Sequence, residues 1–166
     1  MVQNINIRNY QSSDRETCRS LWRELTEWHR HIYQDSTIGG ENLGEHFDNH
    51  LSKVGPSRIW VATIGSEVVG LVGLDVSGYE TEIEPLIVTE AHRNQGVGTK
   101  LVEKAIFEAR KIGTSLNVSP VARNTDAIHF FYNAGFTNLG RVELFMDFLN
   151  RKWKAHVKLQ GCKLNY

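Results

Sequence analysis

The residues with the clearest chemical potential form a short basic turn that contains two glycines. Its members are Arg93, Asn94, Gln95, Gly96, Val97, Gly98 and Thr99. An apolar run ends at Val88, and apolar residues recur at helical spacing from Leu101 to Ala109, so the turn opens a helix. Unpaired N–H groups and the dipole at a helix start attract anions, and Arg93 adds a full charge. We therefore expect this glycine turn, residues 93–99, to bind a pyrophosphate.

The glycines alone do not identify the ligand. A dinucleotide-binding Gly-x-Gly-x-x-Gly motif would need a glycine where Leu101 stands, and no Gly-Lys-Ser/Thr of a P-loop follows. An ordinary strand–helix turn, with glycines that permit close packing, is the alternative interpretation at this point.

Composition limits the remaining possibilities. The 166 residues suit one domain, and the zero net charge predicts neither nucleic-acid nor membrane binding. Cys18 and Cys162 lack Cys-x-x-Cys spacing, and no signal peptide is evident, so we expect a cytoplasmic protein. His46 and His50 are four residues apart, but the zinc-protease glutamate is missing between them, and we predict no metal site.

Periodicity predicts an α/β protein with a mixed sheet flanked by helices. Strands are expected near Ile5 and at 58–64, 68–76, 81–88, 115–118 and 142–149, and helices before position 33, at 43–51, after Val97 and from Asn124. We assign 1–150 to a single domain. The basic tail, 151–166, is expected to add one or two short strands, with a break at Gly161, that complete the domain or form a dimer contact.

The Arg-x-x-Gly-x-Gly turn after a strand resembles motif A of the GNAT superfamily of N-acetyltransferases, which grips the pyrophosphate of coenzyme A. The resemblance implies a mostly antiparallel sheet in which two strands splay apart to form an acetyl-CoA slot. It also implies acetyl-CoA as co-substrate without a metal. Dimerisation is common in the family, which leaves a homodimer open.

Residues 83–88 resemble the family strand that lines this slot. The resemblance implies that Ile87 and Val88 offer backbone groups to the pantetheine arm, and that a strand N–H near Val88 meets the oxyanion. Glu84 matches an acidic residue to which a general-base role is assigned in several small-molecule enzymes of the family. Glu80, Glu82 and Glu84 share one face of the strand at a period of two.

Residues 124–136 resemble the family pattern Asn-x-x-Ala-x-x-x-Tyr-x-x-x-Gly-Phe. The match implies that Asn124 touches the pantetheine and that Ala127 lets the cofactor pass close to the helix. The position of the proton-donating tyrosine is occupied by Phe131, which we assign to cofactor contact. Tyr132, about 100° further around the helix, is the remaining candidate general acid.

The predicted function is transfer of the acetyl group of acetyl-CoA to a primary amine of a small molecule or peptide. Attack is direct, with a carboxylate as general base. The substrate wall is expected at the end of the first helix and beside the slot, at Trp28, His31, Tyr33 and Glu82. Three alternatives stay open: a protein N-terminal or lysine amine as acceptor, an acyl-CoA-binding module with little turnover, and a structural α/β domain.

Overall fold

The computed structural model describes residues 4–78, 80–113, 115–148 and 151–166. Within them the helices and strands, in chain order, are β1 Ile5–Asn9, α1 Arg15–Tyr33, α2 Glu45–Val54, β2 Ile59–Ile64, β3 Glu67–Ser77, β4 Glu80–Val88, α3 Val97–Ala109, β5 Ser115–Asn117, α4 Thr125–Asn133, β6 Val157–Leu159 and β7 Cys162–Leu164. No helix in these ranges has the length and apolar content to cross a bilayer.

The main sheet has five strands in the order β1-β2-β3-β4-β5. The first four strands pair antiparallel, and β5 pairs parallel to β4. Helices α1 and α2 pack against β3 and each other, and α3 packs along the strands from β1 to β5. The predicted mixed and mostly antiparallel sheet is therefore confirmed.

The burial of each strand follows from its place in the sheet. In β2 the residues Ile59 to Thr63 are all buried, as expected of an interior strand covered on both faces. In β4, by contrast, buried and more exposed residues alternate, so Thr81 and Ile83 point inward while Glu80 and Glu84 face outward. This alternation places the predicted acidic residues on the accessible face.

One core joins α1 and α2 to the sheet. Its buried members are Cys18, Leu21, Phe47, Val54, Ile59, Val61, Leu71 and Ile87. Full burial of an aliphatic or aromatic side chain stabilises a fold by about 1.5–3 kcal/mol. Within the stripe of α1, Cys18 and Leu21 are buried, whereas the members after them are half-buried: Trp22, Leu25, Trp28 and Ile32.

Contacts divide the chain into two compact units, Met1–Ser119 and Pro120–Tyr166. The first holds the five-stranded sheet with α1, α2 and α3. The second holds α4 and the hairpin of β6 and β7, whose turn carries Gln160 and Gly161 at positive φ. The tail thus contains two short strands, β6 and β7, on either side of Gly161.

The strand predicted at 142–149 is wrong for the described part, residues 142–148, which form no strand. The Asp147 carboxylate instead accepts hydrogen bonds from the Arg151 backbone N–H at 2.9 Å and from Trp153 Nε1 at 2.8 Å. The Phe145 ring also contacts Trp153 edge-on at 5.1 Å. These local bonds compete with a strand ladder and fold the segment back on the tail.

Candidate functional site

The first feature of the candidate site is the place where β4 and β5 separate. The two strands pair at only three positions, Glu80 with Ser115, Thr81 with Leu116 and Glu82 with Asn117. Among the described residues, nothing pairs with that side of β4 from 83 to 88. We call this stretch the open edge; its backbone can bind an extended ligand as a further strand would.

The register of β4 shows which backbone groups face this edge. The Thr89 N–H donates to the Val69 carbonyl at 3.0 Å, and Leu71 pairs with Ile87. Because an antiparallel ladder alternates, the N–H and C=O groups of Leu86 and Val88 point to the open edge. Ile87 instead turns its backbone toward β3 and its side chain into the core, so it does not share the orientation of Val88.

A bulge interrupts the pairing of β3 and β4 just before these groups. The register shifts between Val72 and Leu74, so that Gly73 lies against Glu84, which is joined to Pro85 by a cis peptide bond. A Cβ on Gly73 would collide with the Glu84 carbonyl oxygen and lie 2.8 Å from His50 Nε2. Only glycine fits this position, and the bulge redirects the strand at Glu84.

The glycine turn has the backbone geometry that its sequence predicts. Gly96 is the N-cap of α3 with φ 84° and ψ 0°, and Asn94 also has a positive φ of 59°. The first intrahelical bond runs from the Lys100 N–H to the Gly96 carbonyl. The N–H groups of 96–99 therefore precede the ladder, and N–H groups at such a helix start can bind an anion. Val97 is buried and anchors this turn in the core.

The side chain of Arg93 is held against the strand and α1. Its Nε donates to the Val88 carbonyl at 3.0 Å, and Nη2 lies 3.3 Å from Glu24 Oε1. The guanidinium also lies 5.6 Å from the centre of the Trp28 ring. Glu24 Oε1 accepts a further bond from the Glu90 N–H at 2.7 Å. Sequence reasoning missed Glu24, since no local motif links it to Arg93, 69 residues away.

The remaining predicted side chains of the turn and of the α1 end lie as follows. Gln95 Nε2 donates to the Ala91 carbonyl at 2.9 Å, and Thr99 is exposed in the first turn of α3. The rings of Trp28 and His31 stack at 5.7 Å, and Tyr33 is the last residue of α1. Trp28 therefore joins the predicted substrate wall to the glycine turn through Arg93.

The carboxylates of β4 meet a cation that the sequence did not point to. The Glu84 side chain is 49% exposed, and its Oε2 lies 3.8 Å from Lys53 Nζ. Lys53 Nζ also lies 2.5 Å from Asp75 Oδ2, and Asp75 pairs in register with Glu82. The hydrogen bond to Asp75 raises the pKa of Lys53, with smaller contributions from the charges of Asp75, Glu84 and Glu82. We call the carboxylates of Asp75, Glu82 and Glu84, together with the Lys53 cation, the carboxylate cluster.

The two histidines of α2 have separate surroundings. His46 Nε2 lies 2.7 Å from the Gly39 carbonyl, whereas His50 is buried beside Gly73 and the Glu84 carbonyl. Burial is the main reason that the pKa of His50 is lowered, and the Lys53 cation adds to it. His50 is therefore a neutral imidazole under the bulge. Among the described residues, no three His, Cys, Asp or Glu side chains form a metal-binding group.

The predicted residues of α4 lie in the second unit and are described within it. Asn124 caps α4, with its Oδ1 accepting from the Ala127 N–H at 3.2 Å. Phe131 is buried, and its ring makes edge-on contacts with Phe130 and Phe136 at 5.3 and 5.5 Å. Tyr132 is 61% exposed. Within this unit Phe131 is a packing residue, and the Tyr132 hydroxyl is accessible.

Comparison with known proteins identifies the family. Residues 17–136 match the model of the Acetyltransferase (GNAT) family. N-acetyltransferase 8 of Rattus norvegicus is 35% identical over 118 residues, 67% of this chain; the match covers 51% of that protein, so the chain spans about half its length. Peptidyl-lysine N-acetyltransferase YjaB of Salmonella typhimurium is 29% identical over 141 residues, covering 84% of this chain and 88% of the relative.

A solved structure shares the fold. The PaiA N-acetyltransferase of Thermoplasma acidophilum, in complex with coenzyme A, superposes with a TM-score of 0.65 at 20% identity, over 80% of this chain and 89% of that one. The family match covers most of the first unit and continues through α4. The chain belongs to the GNAT acetyltransferase family.

Proposed function

We propose that this protein transfers the acetyl group of acetyl-CoA to a primary amine of a small molecule or peptide. The observation that carries the proposal is the open edge of β4, which leads through a single 3-10 turn at Glu90–His92 to the glycine turn. A strand edge with outward N–H and C=O groups suits the amides of a pantetheine arm, and the helix start suits its pyrophosphate.

The cofactor would lie along the open edge of β4 and the start of α3. Val88 supplies backbone contacts at the open edge, and the N–H groups of 96–99 receive the pyrophosphate. Arg93 adds charge once its guanidinium turns from Glu24 to the phosphates. Asn124, Ala127 and Phe131 are proposed to border the arm because they match the family pattern, and Ile87 supports the strand from the core.

The chemistry needs a free amine, although an alkylammonium with a pKa near 10.4 is almost wholly protonated at neutral pH. We propose that the Glu84 carboxylate accepts that proton, directly or through one water. The nitrogen then attacks the thioester carbonyl. The developing oxyanion is met by an outward N–H of β4, at Leu86 or Val88.

Protonation of the departing thiolate is the least supported step. Phe131 has no proton to donate, and Tyr132 would serve only if its exposed hydroxyl reaches the sulfur. A thiol has a reference pKa of about 8.5, so a thiolate can leave without a dedicated acid. The buried Phe131 is also the observation that favours the second candidate function, an acyl-CoA-binding module with little turnover.

The acceptor is proposed to be cationic. Asp75, Glu82 and Glu84 attract an ammonium, and Trp28, His31 and Tyr33 offer aromatic walls for its stem. The Salmonella relative carries the name of a peptidyl-lysine N-acetyltransferase, which supports a lysine amine of a protein or peptide as the acceptor. A protein N-terminal amine is the further alternative.

The test is thiol release from acetyl-CoA with a panel of polyamines, lysine peptides and N-terminal peptides, together with a thermal-shift titration of coenzyme A. An enzyme will show a raised melting temperature with coenzyme A and amine-dependent thiol release. A thermal shift without release across the panel would support the binding module. No shift at all would leave only a structural α/β domain.

A further inference from the structure

Lys53 brings a primary amine of the chain itself to the proposed general base. It lies in the last turn of α2, and its Nζ is 2.5 Å from Asp75 Oδ2 and 3.8 Å from Glu84 Oε2. Its side chain is 60% exposed, so the ammonium is held by these ion pairs rather than by burial. An external acceptor amine would have to be bound and deprotonated by the same two carboxylates, Asp75 and Glu84.

Other lysines of the first unit are held elsewhere. Lys100 Nζ donates to the Ile5 carbonyl, and Lys104 and Lys111 both pair with Glu108. In the part of the chain that the structure describes, Lys53 is the cation paired with Glu84. Glu84 stands two residues before Leu86, whose N–H faces the open edge where the thioester would lie.

We propose that Lys53 is an acetylation site of the protein itself, modified by its own acetyl-CoA. The inference rests on the proposed function. The Lys53 ammonium gives a proton to the Glu84 carboxylate, and its nitrogen attacks the acetyl carbonyl. The new N–C bond forms as the C–S bond breaks, and the coenzyme A thiolate leaves and takes up a proton.

The product changes the charge of the carboxylate cluster. An acetylated Lys53 is neutral, so Asp75 and Glu84 lose their cation and attract an external ammonium more strongly. Self-acetylation would therefore lower the KM of the enzyme for a cationic acceptor. The Lys53→Gln variant, whose side chain ends in a neutral amide as acetylated lysine does, should show the same lowered KM.

The experiment incubates the full chain with acetyl-CoA alone and follows intact mass and peptide mapping over time. We expect one acetyl group on Lys53, added roughly 10²-fold faster than on Lys154, Lys158 and Lys163 of the tail, because those lysines have no positioned base. The rate should be independent of protein concentration, as an intramolecular step requires.

Two variants serve as controls. Lys53→Arg keeps the charge and should remove the fast mass increase, while Glu84→Gln should slow labelling of Lys53 to the level of the tail lysines. Labelling of Lys53 no faster than the tail, or at a rate proportional to protein concentration, would overturn the inference.

The same samples are assayed with the amine panel. Turnover of external amines with Lys53 unmodified would overturn self-acetylation and leave the proposed function standing. Absence of both reactions from a protein that binds coenzyme A would overturn both.

Discussion

The proposed cofactor side and the proposed acceptor side of the site are built from different kinds of groups. The proposed cofactor side consists of the backbone of Leu86 and Val88 and the N–H groups of 96–99, with Val97 buried in the core. The acceptor side uses exposed side chains, with Lys53 and Glu84 joined across α2 and β4. Backbone groups recognise a feature common to every acyl-CoA, whereas side chains can change with the acceptor.

The bulge at Gly73 joins the two sides, and breaking it should disturb both of them at once. Gly73→Ala drives a Cβ into the Glu84 carbonyl and the His50 ring. Overpacking of this kind costs about 1–3 kcal/mol and would displace both Glu84 and the edge that follows it. The melting temperature and the rate of thiol release should both fall. Gly140→Ala, where a Cβ meets no atom within 4 Å, is the control and should leave both unchanged.

Arg93→Ala should damage the cofactor side alone. Loss of the cation and of its bond to the Val88 carbonyl weakens pyrophosphate binding, and a hydrogen bond to a charged group is worth about 1.5–3 kcal/mol. The KM for acetyl-CoA should rise by roughly tenfold or more, with a smaller change in kcat. An unchanged KM for acetyl-CoA would mean that Arg93 serves only to hold Trp28 and Glu24.

Two variants of Glu24 separate the effect of its charge on the proposed cofactor side from the effect of its hydrogen bond. Glu24→Gln keeps an oxygen for the Glu90 N–H but removes the charge that competes for Arg93, so coenzyme A should bind a few-fold more tightly, about 0.2–1 kcal/mol. Glu24→Ala removes both interactions and should bind it less tightly. Titration calorimetry compares each variant with the unsubstituted protein, and equal affinities of Glu24→Gln and the unsubstituted protein would show that the Glu24 charge has no role.

His50 gives the smallest expected effect, on the acceptor side. Burial lowers its folded pKa, so below its unfolded value of about 6.5 the unfolded chain binds a proton that the folded chain refuses. Stability should therefore fall as the pH drops from about 6.5 toward the folded pKa. The free energy of unfolding, measured by denaturant titration at several pH values in this range, should depend less steeply on pH for His50→Gln than for the unsubstituted protein. Burial also lowers the pKa of His29. His29 should therefore still contribute to the pH dependence of stability in the His50→Gln variant.

The local structure of the glycine turn could be predicted from the sequence because its signals are local. The glycine turn, the strand before it and the helix after it occupy consecutive residues, and the positive φ at Gly96 follows from the glycine itself. The alternation of β4 likewise placed Glu80, Glu82 and Glu84 on the accessible face.

Side-chain contacts between elements far apart in the chain could not be predicted from the sequence. Glu24 contacts Arg93 of the turn across 69 residues, and Lys53 contacts Glu84 from α2, and no sequence spacing reveals either pair. The strand expected at 142–149 had a suitable pattern, but the bonds of Asp147 to Arg151 and Trp153 decide the fold of its described part.

The most direct test of the central claim compares Glu84→Gln with Glu80→Gln in amine-dependent thiol release, with coenzyme A affinity measured on the same samples. Glu80 lies on the same strand at the end paired with β5, so it controls for the loss of a β4 carboxylate. The account predicts that Glu84→Gln lowers kcat by roughly 10²–10⁴-fold with coenzyme A affinity retained, while Glu80→Gln stays close to the unsubstituted protein. Equal turnover in the two variants would contradict it.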